Sequence, residues 1–287
     1  MSAASARIGP APSEPLSASL GAARGPLMAG LFVVGLASAS TDRIYSSIVS
    51  RGWGESIANT FDISAIVWGA VWASVTLCLR NRSQPVSRLD WAAAALASLL
   101  FLMPFTVLSW VGVTGLALYV TLTSGGRLGE RRGAWIAFAV TVTLFWSPKI
   151  FEAFSPTVLA ADAELVSWIT GTERVGNTVR VPGSDSFIWV APGCSSLANM
   201  SLAFLCWMTF GQMSTRPVRL IDWAWCIAAA AAVVALNVSR IAIIALRPDL
   251  YETVHGTGGT MVAGYLTLAV IVGTCVIWKR DEIFRTV

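Results

Sequence analysis

Long apolar segments recur along the chain, and they limit the folds that it can adopt. A helix needs about 20 predominantly apolar residues to cross the hydrocarbon core of a bilayer. Hydrophobic residues make up 55% of the chain and charged residues only 13%, and the mean hydropathy is +0.67, which is unlike a soluble domain. Eight stretches approach the spanning length: residues 26–41, 62–79, 91–107, 108–123, 134–151, 194–210, 223–244 and 258–278. The sequence therefore predicts an all-α polytopic membrane protein with about eight transmembrane helices in one domain, residues 26–278.

The basic residues fall mainly in the short segments between the apolar stretches. With eight spans, 13 of the 20 Lys and Arg residues lie on one side, which the positive-inside rule makes cytoplasmic. They are Arg7, Arg24, Arg80, Arg82, Arg88, Arg127, Arg131, Arg132, Arg216, Arg219, Lys279, Arg280 and Arg285. Both termini are then cytosolic, with tails over residues 1–25 and 279–287. The first tail is expected to be flexible, and a cleaved signal peptide is the alternative. No stripe of basic and aromatic residues accompanies the net charge of +4, so we expect membrane lipids and no nucleic acid as partners.

The largest external segment under this topology covers residues 152–193. Residues 158–170 show helical spacing of apolar and polar side chains, which predicts a helix at the membrane interface. Residues 177–181 and 186–190 are β-prone and flank a Pro-Gly-Ser-Asp turn, which predicts a β-hairpin. The expected apolar face of the helix comprises Leu159, Ala163, Leu165, Val166, Trp168 and Ile169, against the polar Asp162, Glu164 and Ser167.

Five cysteines occur in the chain, and one of them has an unusual position. Cys194 follows the chain-breaking pair Pro192-Gly193 and directly precedes an apolar helix. The unpaired N–H groups and the dipole at a helix N-terminus favour a thiolate over a thiol. The sequence therefore makes Cys194 a candidate nucleophile, with a buried small residue at a helix start as the alternative. The other four, Cys78, Cys206, Cys226 and Cys275, are predicted to be small packing residues.

The single histidine and one intramembrane arginine are the other candidates. His255 is the only histidine in the chain and stands at the start of the last apolar stretch, at an expected boundary between bilayer and water. Arg240 has apolar neighbours on both sides near the outer end of its span, where an arginine usually faces a partner or a wet cavity. Its alternative role is to reach the outer headgroups, but Arg247 and Asp249 already provide an interfacial anchor there.

Two further residues accompany this set. Asn237 lies on the same helical face as Arg240 and can hydrogen-bond it or a substrate, or it can stabilise helix packing. Ser195 can offer its hydroxyl or N–H to an oxyanion, or it can cap the helix. Asp249 or Glu252 could orient the imidazole, although exposure to solvent is the simpler role for both.

The topology brings Cys194, Arg240 and His255 to the outer ends of three consecutive spans. A thiolate can attack a peptide carbonyl, a histidine can move the protons and an arginine can stabilise the oxyanion, which together make cysteine-dependent acyl transfer. A serine protease with Ser195 or Ser196 as nucleophile is a close alternative. A non-enzymatic scaffold or small-solute transporter is the alternative from another class, in which the same residues line a polar cavity.

The motif residues resemble the exosortase/archaeosortase family of multispan membrane enzymes. The resemblance is carried by Cys194-Ser195-Ser196-Leu197, by Asn237-Val238-Ser239-Arg240 and by His255, and it covers about residues 187–278. It implies Cys194 as nucleophile, Arg240 as the cation that stabilises the transition state or positions the substrate, and His255 as acid and base. The family commonly has Cys-Ser-Gly, and Ser196 replaces the glycine here, which indicates a divergent subfamily or a changed backbone approach at the nucleophile.

The resemblance also implies a substrate class and a location. Such enzymes act on exported proteins with a C-terminal recognition motif, one transmembrane helix and a basic tail. The expected location is the inner membrane of a prokaryote, with the active site facing outward, and the predicted hairpin and interfacial helix are candidates for recognising the motif, by strand addition or by covering the site. The chain has no Cys-x-x-Cys, His-Glu-x-x-His or Walker-type glycine loop, so no cofactor and no metal are expected.

Overall fold

The structure is a computed structural model that describes residues 23–80, 85–126 and 128–283, and it is built mainly from α-helices. The helices are α1 (Arg24–Ala39), α2 (Thr41–Ala58), α3 (Ala65–Leu79), α4 (Arg88–Leu102), α5 (Thr106–Thr123), α6 (Leu128–Thr141), α7 (Ser147–Thr170), α8 (Ser196–Met213), α9 (Trp223–Leu246), α10 (Tyr251–His255) and α11 (Thr257–Ile283). The strands are β1 (Arg174–Val175), β2 (Thr178–Arg180) and β3 (Phe187–Trp189). The predicted all-α membrane class is therefore supported by the helical content, with a small sheet as an insertion.

The predicted number of eight spans is not reached. Four helical segments in the described residues are long and apolar enough to cross a membrane: Thr106–Thr123, Leu128–Thr170, Leu220–Leu246 and Gly258–Glu282. A fifth is possible if α1 and α2, which meet at a bend of 46°, form one broken span. The helices α3 and α4 have 15 residues each, or about 22 Å at 1.5 Å per residue, which is shorter than the hydrocarbon core. In α8, Asn199 and Gln212 interrupt the apolar sequence.

The predicted span 134–151 and the predicted interfacial helix are parts of one long helix. Helix α6 passes through a π-helical turn at Val142–Trp146 into α7, and together they form a 43-residue helical segment. At 1.5 Å per residue this segment is about 65 Å long, twice the hydrocarbon thickness. A change of direction occurs at Phe154, which has φ −122° and ψ 17° and precedes Pro156. The predicted interfacial helix is thus a continuation of the helix that includes the predicted span, rather than a separate element.

Helices α3 and α6 cross closely in the core of the bundle. A Cβ atom on Gly133 would lie 2.6 Å from both the Cys78 Sγ and the Ser74 carbonyl oxygen. The Ser74 hydroxyl donates a hydrogen bond of 2.7 Å to the Gly133 carbonyl. Glycine is therefore needed at this crossing, as in other close helix contacts inside membranes.

A buried ionic cluster joins the starts of α1, α4 and α6. The Arg24 side chain donates to Asp90 at 2.7 Å and also to Glu130, and all three residues are at most 2% exposed. The hydroxyl of Tyr119 donates to the same Asp90 at 2.9 Å. Because α1 begins at Arg24, the expected cytosolic tail over residues 1–25 ends inside this cluster, and its first 22 residues lie outside the described ones.

The rest of the predicted topology is described only in part. Residues 284–287, the end of the expected C-terminal tail, lie outside the described residues, while α11 extends through Lys279 and Arg280. Arg7, Arg82, Arg127 and Arg285, which contributed to the predicted orientation, also lie outside them.

The predicted β-hairpin is confirmed. Strands β2 and β3 are antiparallel with Val179 opposite Ile188, and β1 adds a third strand in the order β1-β2-β3. One face of the sheet packs on α7 and α9 through a second apolar cluster of Leu159, Ala163, Val166, Val179, Val190, Val238, Ile241 and Ala242. The predicted apolar face of the external helix is therefore only half right. Leu165, Trp168 and Ile169 are exposed, whereas Asp162 is buried.

Candidate active site

The turn between β3 and α8 holds Cys194 at the amino end of α8. Pro192–Cys194 form one 3₁₀ turn, Ser195 is the N-cap, and α8 begins at Ser196. The proline fixes the entry into the turn, and the Ser195 hydroxyl accepts a hydrogen bond of 3.3 Å from the Leu197 N–H. Cys194 therefore lies at a helix N-terminus as the sequence predicts, and Ser195 has the capping role.

Exposure separates Cys194 from the other thiols. Cys78, Cys206, Cys226 and Cys275 are buried, as predicted, and Cys194 is partly exposed. A nucleophile has to be reached by its substrate, and Cys194 is the thiol in this chain that meets that requirement.

His255 lies beside this thiol. The Cys194 Sγ atom is 3.9 Å from His255 Nε2, although His255 belongs to a different helix at the end of α10. The imidazole stacks on the Tyr251 ring of the same short helix, with a centroid distance of 5.0 Å and an interplanar angle of 9°. This contact fixes the plane of the imidazole. Catalytic hydrogen bonds are often longer in the absence of substrate than in the complex. A sulfur–nitrogen distance of 3.9 Å is in keeping with such a pair.

Asn237 holds the turn that carries the thiol. Its Nδ2 atom donates to the Cys194 carbonyl at 2.5 Å and to the Ser196 hydroxyl at 3.0 Å. This contact was not among the roles predicted for Asn237, which were a hydrogen bond to Arg240 or to a substrate, or helix packing; the hydrogen bonds that its amide donates go to the Cys194 turn. The same contact gives Ser196 a structural role, because its hydroxyl is an acceptor for the Asn237 amide.

Asp162 is a site residue that the sequence analysis missed. It lies on α7, is 4% exposed, and its Oδ2 atom accepts a hydrogen bond of 3.0 Å from the Ser196 N–H. A carboxylate at a helix N-terminus satisfies an otherwise unpaired donor and interacts favourably with the dipole. The amphipathic pattern placed Asp162 on a solvated face, and only its three-dimensional partner, α8, makes it part of the site.

Arg240 contacts the turn between α10 and α11. Its Nε and Nη2 atoms donate to the Val254 carbonyl at 3.2 and 3.1 Å, and Nη2 also donates to the Thr260 hydroxyl at 3.0 Å. The Thr260 hydroxyl in turn lies 3.1 Å from the His255 carbonyl and donates to it. The guanidinium thus braces the backbone on both sides of His255, which does not fit an arginine that reaches for headgroups.

Neither carboxylate near the imidazole in sequence is shown to orient it. Asp249 accepts hydrogen bonds from Arg247 at 2.9 and 2.7 Å, and these bonds lower the pKa of the Asp249 carboxyl below its usual value. Glu252 is exposed. The orienting contact on the ring comes from Tyr251.

A groove opens next to the paired residues and runs along α11. Its volume is about 890 Å³, and α8, α9 and α11 supply most of its walls. Gly193, Asn237 and Arg240 line the end near the thiol, and Ile271 lines the part farthest along α11. Helix α11 contributes the small residues Gly258, Gly259, Ala263 and Gly264 to its wall. From residue 258 to 271 the helix rises about 20 Å, so the groove extends from the paired residues along much of α11.

The two serines next to Cys194 have structural contacts. Ser195 caps α8, Ser196 accepts from Asn237, and both are buried. The geometry therefore brings the Cys194 thiol and the His255 imidazole together, and Asn237, Asp162 and Arg240 fix the two segments that carry them.

No protein-family model, curated protein or solved structure matches the chain. The exosortase resemblance rests on the motif residues alone.

Proposed function

We propose that the protein is a membrane-embedded cysteine protease or transpeptidase of exosortase type. It would cleave the C-terminal sorting signal of exported proteins on the outer side of the cytoplasmic membrane. The observation that carries the proposal is the contact of 3.9 Å between the Cys194 thiol and His255 Nε2. The partly exposed nucleophile and the adjoining groove support it.

In the first half-reaction, Nε2 accepts the thiol proton and the sulfur attacks the carbonyl carbon of the scissile peptide bond. The carbonyl electron pair moves to oxygen, and the tetrahedral intermediate then collapses with cleavage of the C–N bond. The imidazolium delivers its proton to the leaving nitrogen, which departs with the transmembrane segment of the substrate. A thioester on Cys194 remains.

In the second half-reaction, an acceptor attacks the thioester. The neutral imidazole takes a proton from water or from an amine, the new C–O or C–N bond forms, and the C–S bond breaks. The thiolate regains its proton from His255. Water gives a free C-terminal carboxylate and an amine gives a transpeptidation product, so the acceptor decides between protease and transpeptidase.

Arg240 is the cation of this site. Its bonds to Val254 and Thr260 use Nε and Nη2, and in the described part of the chain Nη1 makes no hydrogen bond. A guanidinium has five donors in a fixed plane, so one edge can hold the backbone at His255 while Nη1 points to the oxyanion or to the substrate.

The groove along α11 is the proposed seat of the substrate's transmembrane helix. Small residues on the wall permit close approach of a second helix, and the apolar lining matches a segment that leaves lipid. The recognition motif precedes that helix in the substrate, so it would lie near Cys194. In the orientation predicted from the basic residues, this end of the groove would face outward and the basic tail of the substrate would lie in the cytosol.

The test is the processing of exported proteins in cells whose only copy of the protein carries Cys194→Ala, Cys194→Ser or His255→Ala. The first and third variants should accumulate uncleaved precursors, and Cys194→Ser should lose most activity. Asp249→Asn is the matched control, because Asp249 lies close in sequence to His255 but pairs with Arg247. Mass spectrometry of the mature C-termini identifies the acceptor. Full processing with Cys194→Ala would overturn the proposal, and the groove with Arg240 would then fit a solute path better.

A further inference from the structure

Among the residues that the structure describes, no strand pairs with the outer edge of β3. In the strand order β1-β2-β3, β3 is the outer strand. The Val181 N–H donates to the Ser186 carbonyl and the Val190 N–H to the Asn177 carbonyl, so residues 186, 188 and 190 direct their backbone groups toward β2. In an antiparallel ladder these bonds alternate. The N–H and C=O groups of Phe187 and Trp189 therefore point away from the sheet.

The opposite edge of the same sheet is covered. Arg174 on β1 donates to Glu164 of α7 at 2.5 Å, and a charged side chain with a neighbouring helix is a common protection of an edge strand. The segment Ser186-Phe187-Ile188-Trp189-Val190 has no charged residue and no proline. Its Phe187 and Trp189 side chains are 47% and 59% exposed. An edge with free backbone groups and two exposed aromatic rings is suited to binding an extended peptide.

The position of this edge points to one occupant. Cys194 lies five residues after Trp189. The hydrogen bonds between β2 and β3 continue to Val190, close to the turn that carries the thiol. Five extended residues span at most about 17 Å, so a peptide on β3 ends within reach of the sulfur.

We propose that the recognition segment of the acyl donor binds as an added strand on the free edge of β3, an inference that rests on the proposed function. The Phe187 and Trp189 N–H and C=O groups pair with the substrate backbone, and the two aromatic rings contact its alternate side chains. The recognition motif then lies within about five residues of the scissile bond. This assigns specificity to the hairpin and the chemistry to the ends of α8 and α10.

Proline substitutions test the backbone contact. Phe187→Pro and Trp189→Pro each remove an N–H that makes no bond within the sheet, so β2 and β3 should stay paired. The matched control is Arg174→Pro, which removes an outward N–H at the opposite edge. We expect processing of exported precursors to fall about tenfold or more for the two β3 variants and less than about twofold for the control. Equal processing in all three would overturn the proposal.

If the proline variants do not fold, photo-crosslinking tests whether the substrate peptide lies against β3. Phe187 is replaced by p-benzoylphenylalanine in the Cys194→Ala protein, in cells that make their normal exported proteins, and Val175 on β1 is replaced in the control. Crosslinks from position 187 to precursor segments next to the cleavage site are expected, without crosslinks from position 175. The absence of crosslinks from position 187, or equal crosslinking from both, would overturn strand addition.

The two proposals fail in different ways. If Cys194→Ala abolishes processing while the proline variants process normally and position 187 does not crosslink, strand addition alone is wrong. If Cys194→Ala processes normally, the proposed function itself is wrong.

Discussion

The Cys194 sulfur and His255 Nε2 are 3.9 Å apart, although 61 residues separate them in the chain. The thiol comes from the turn that precedes α8, and the imidazole comes from the last residue of α10. Asn237 fixes one of these segments and Arg240 the other, and both belong to α9. Helix α9 therefore contacts both the segment that carries the thiol and the segment that carries the imidazole.

Labelling of thiols in intact cells tests the exposure of the nucleophile. We expect a membrane-impermeant maleimide to modify one cysteine per chain, because the other four thiols are buried. Peptide mass spectrometry should locate the label at Cys194, and Cys194→Ser should remove it. Labelling of Cys206 or Cys275 in the wild-type protein, with Cys194 unmodified, would contradict this arrangement.

Removal of the Asn237 amide should reduce activity without unfolding the protein. Asn237→Ala loses the bonds to the Cys194 carbonyl and the Ser196 hydroxyl, so the thiol is no longer held in place. Misplacement of a nucleophile by about 1 Å can cost around 100-fold in rate. We expect a loss of that order in precursor processing, with the thermal unfolding temperature close to wild type. Ile227→Val, an exposed position on the same helix that does not line the groove, is a control that should keep near-normal processing.

Loss of the Asp162 carboxylate should affect both stability and activity. Asp162→Ala leaves the buried Ser196 N–H without its acceptor, which costs about 1–3 kcal/mol. Asp162→Asn keeps an acceptor oxygen and should recover most of the stability. Thermal unfolding in detergent and processing in cells measure the two effects. Glu164→Gln, two residues along and exposed, should behave like wild type; equal losses at positions 162 and 164 would show that the cap has no special role.

The buried ionic cluster should contribute strongly to the stability of the bundle. Arg24→Ala removes the cation that contacts Asp90 and Glu130, and breaking a buried ion pair costs about 3–5 kcal/mol. Arg51→Ala is the control, since its pair with Asp62 is exposed and worth at most about 1 kcal/mol. Thermal unfolding in detergent should give a much larger decrease for position 24. Equal decreases for both variants would contradict the energetic difference.

More of the candidate site than of the fold could be predicted from the sequence. The sequence places Cys194, Asn237, Arg240 and His255 near the ends of neighbouring apolar stretches, and the structure brings these four residues into one region. Apolar length does not show where helices break, however. The stretch 91–107 predicts a long helix, but α4 ends at Leu102, before Pro104, and the count of eight spans was too high.

The supporting residues could not be found from periodicity. Asp162 has a polar neighbourhood in sequence, and its burial depends on contact with α8. Thr260 and Tyr251 are ordinary residues near the start of α11 and on α10, and their contacts with His255 appear only in three dimensions. A pattern of apolar residues identifies which face is buried, but it does not identify the partner of a single polar group.

The central claim is that Cys194 forms a thioester with the substrate. Its most direct test uses full-length protein that is quenched in acid while cells process their exported proteins, followed by mass measurement of the peptide that contains Cys194. We predict a peptide adduct on Cys194 that hydroxylamine releases, derived from an exported protein cut at its C-terminal signal. The same adduct should be missing from Cys194→Ala protein. An adduct on Ser195 or Ser196, or an unmodified Cys194 in cells that continue to process precursors, would contradict the thioester mechanism.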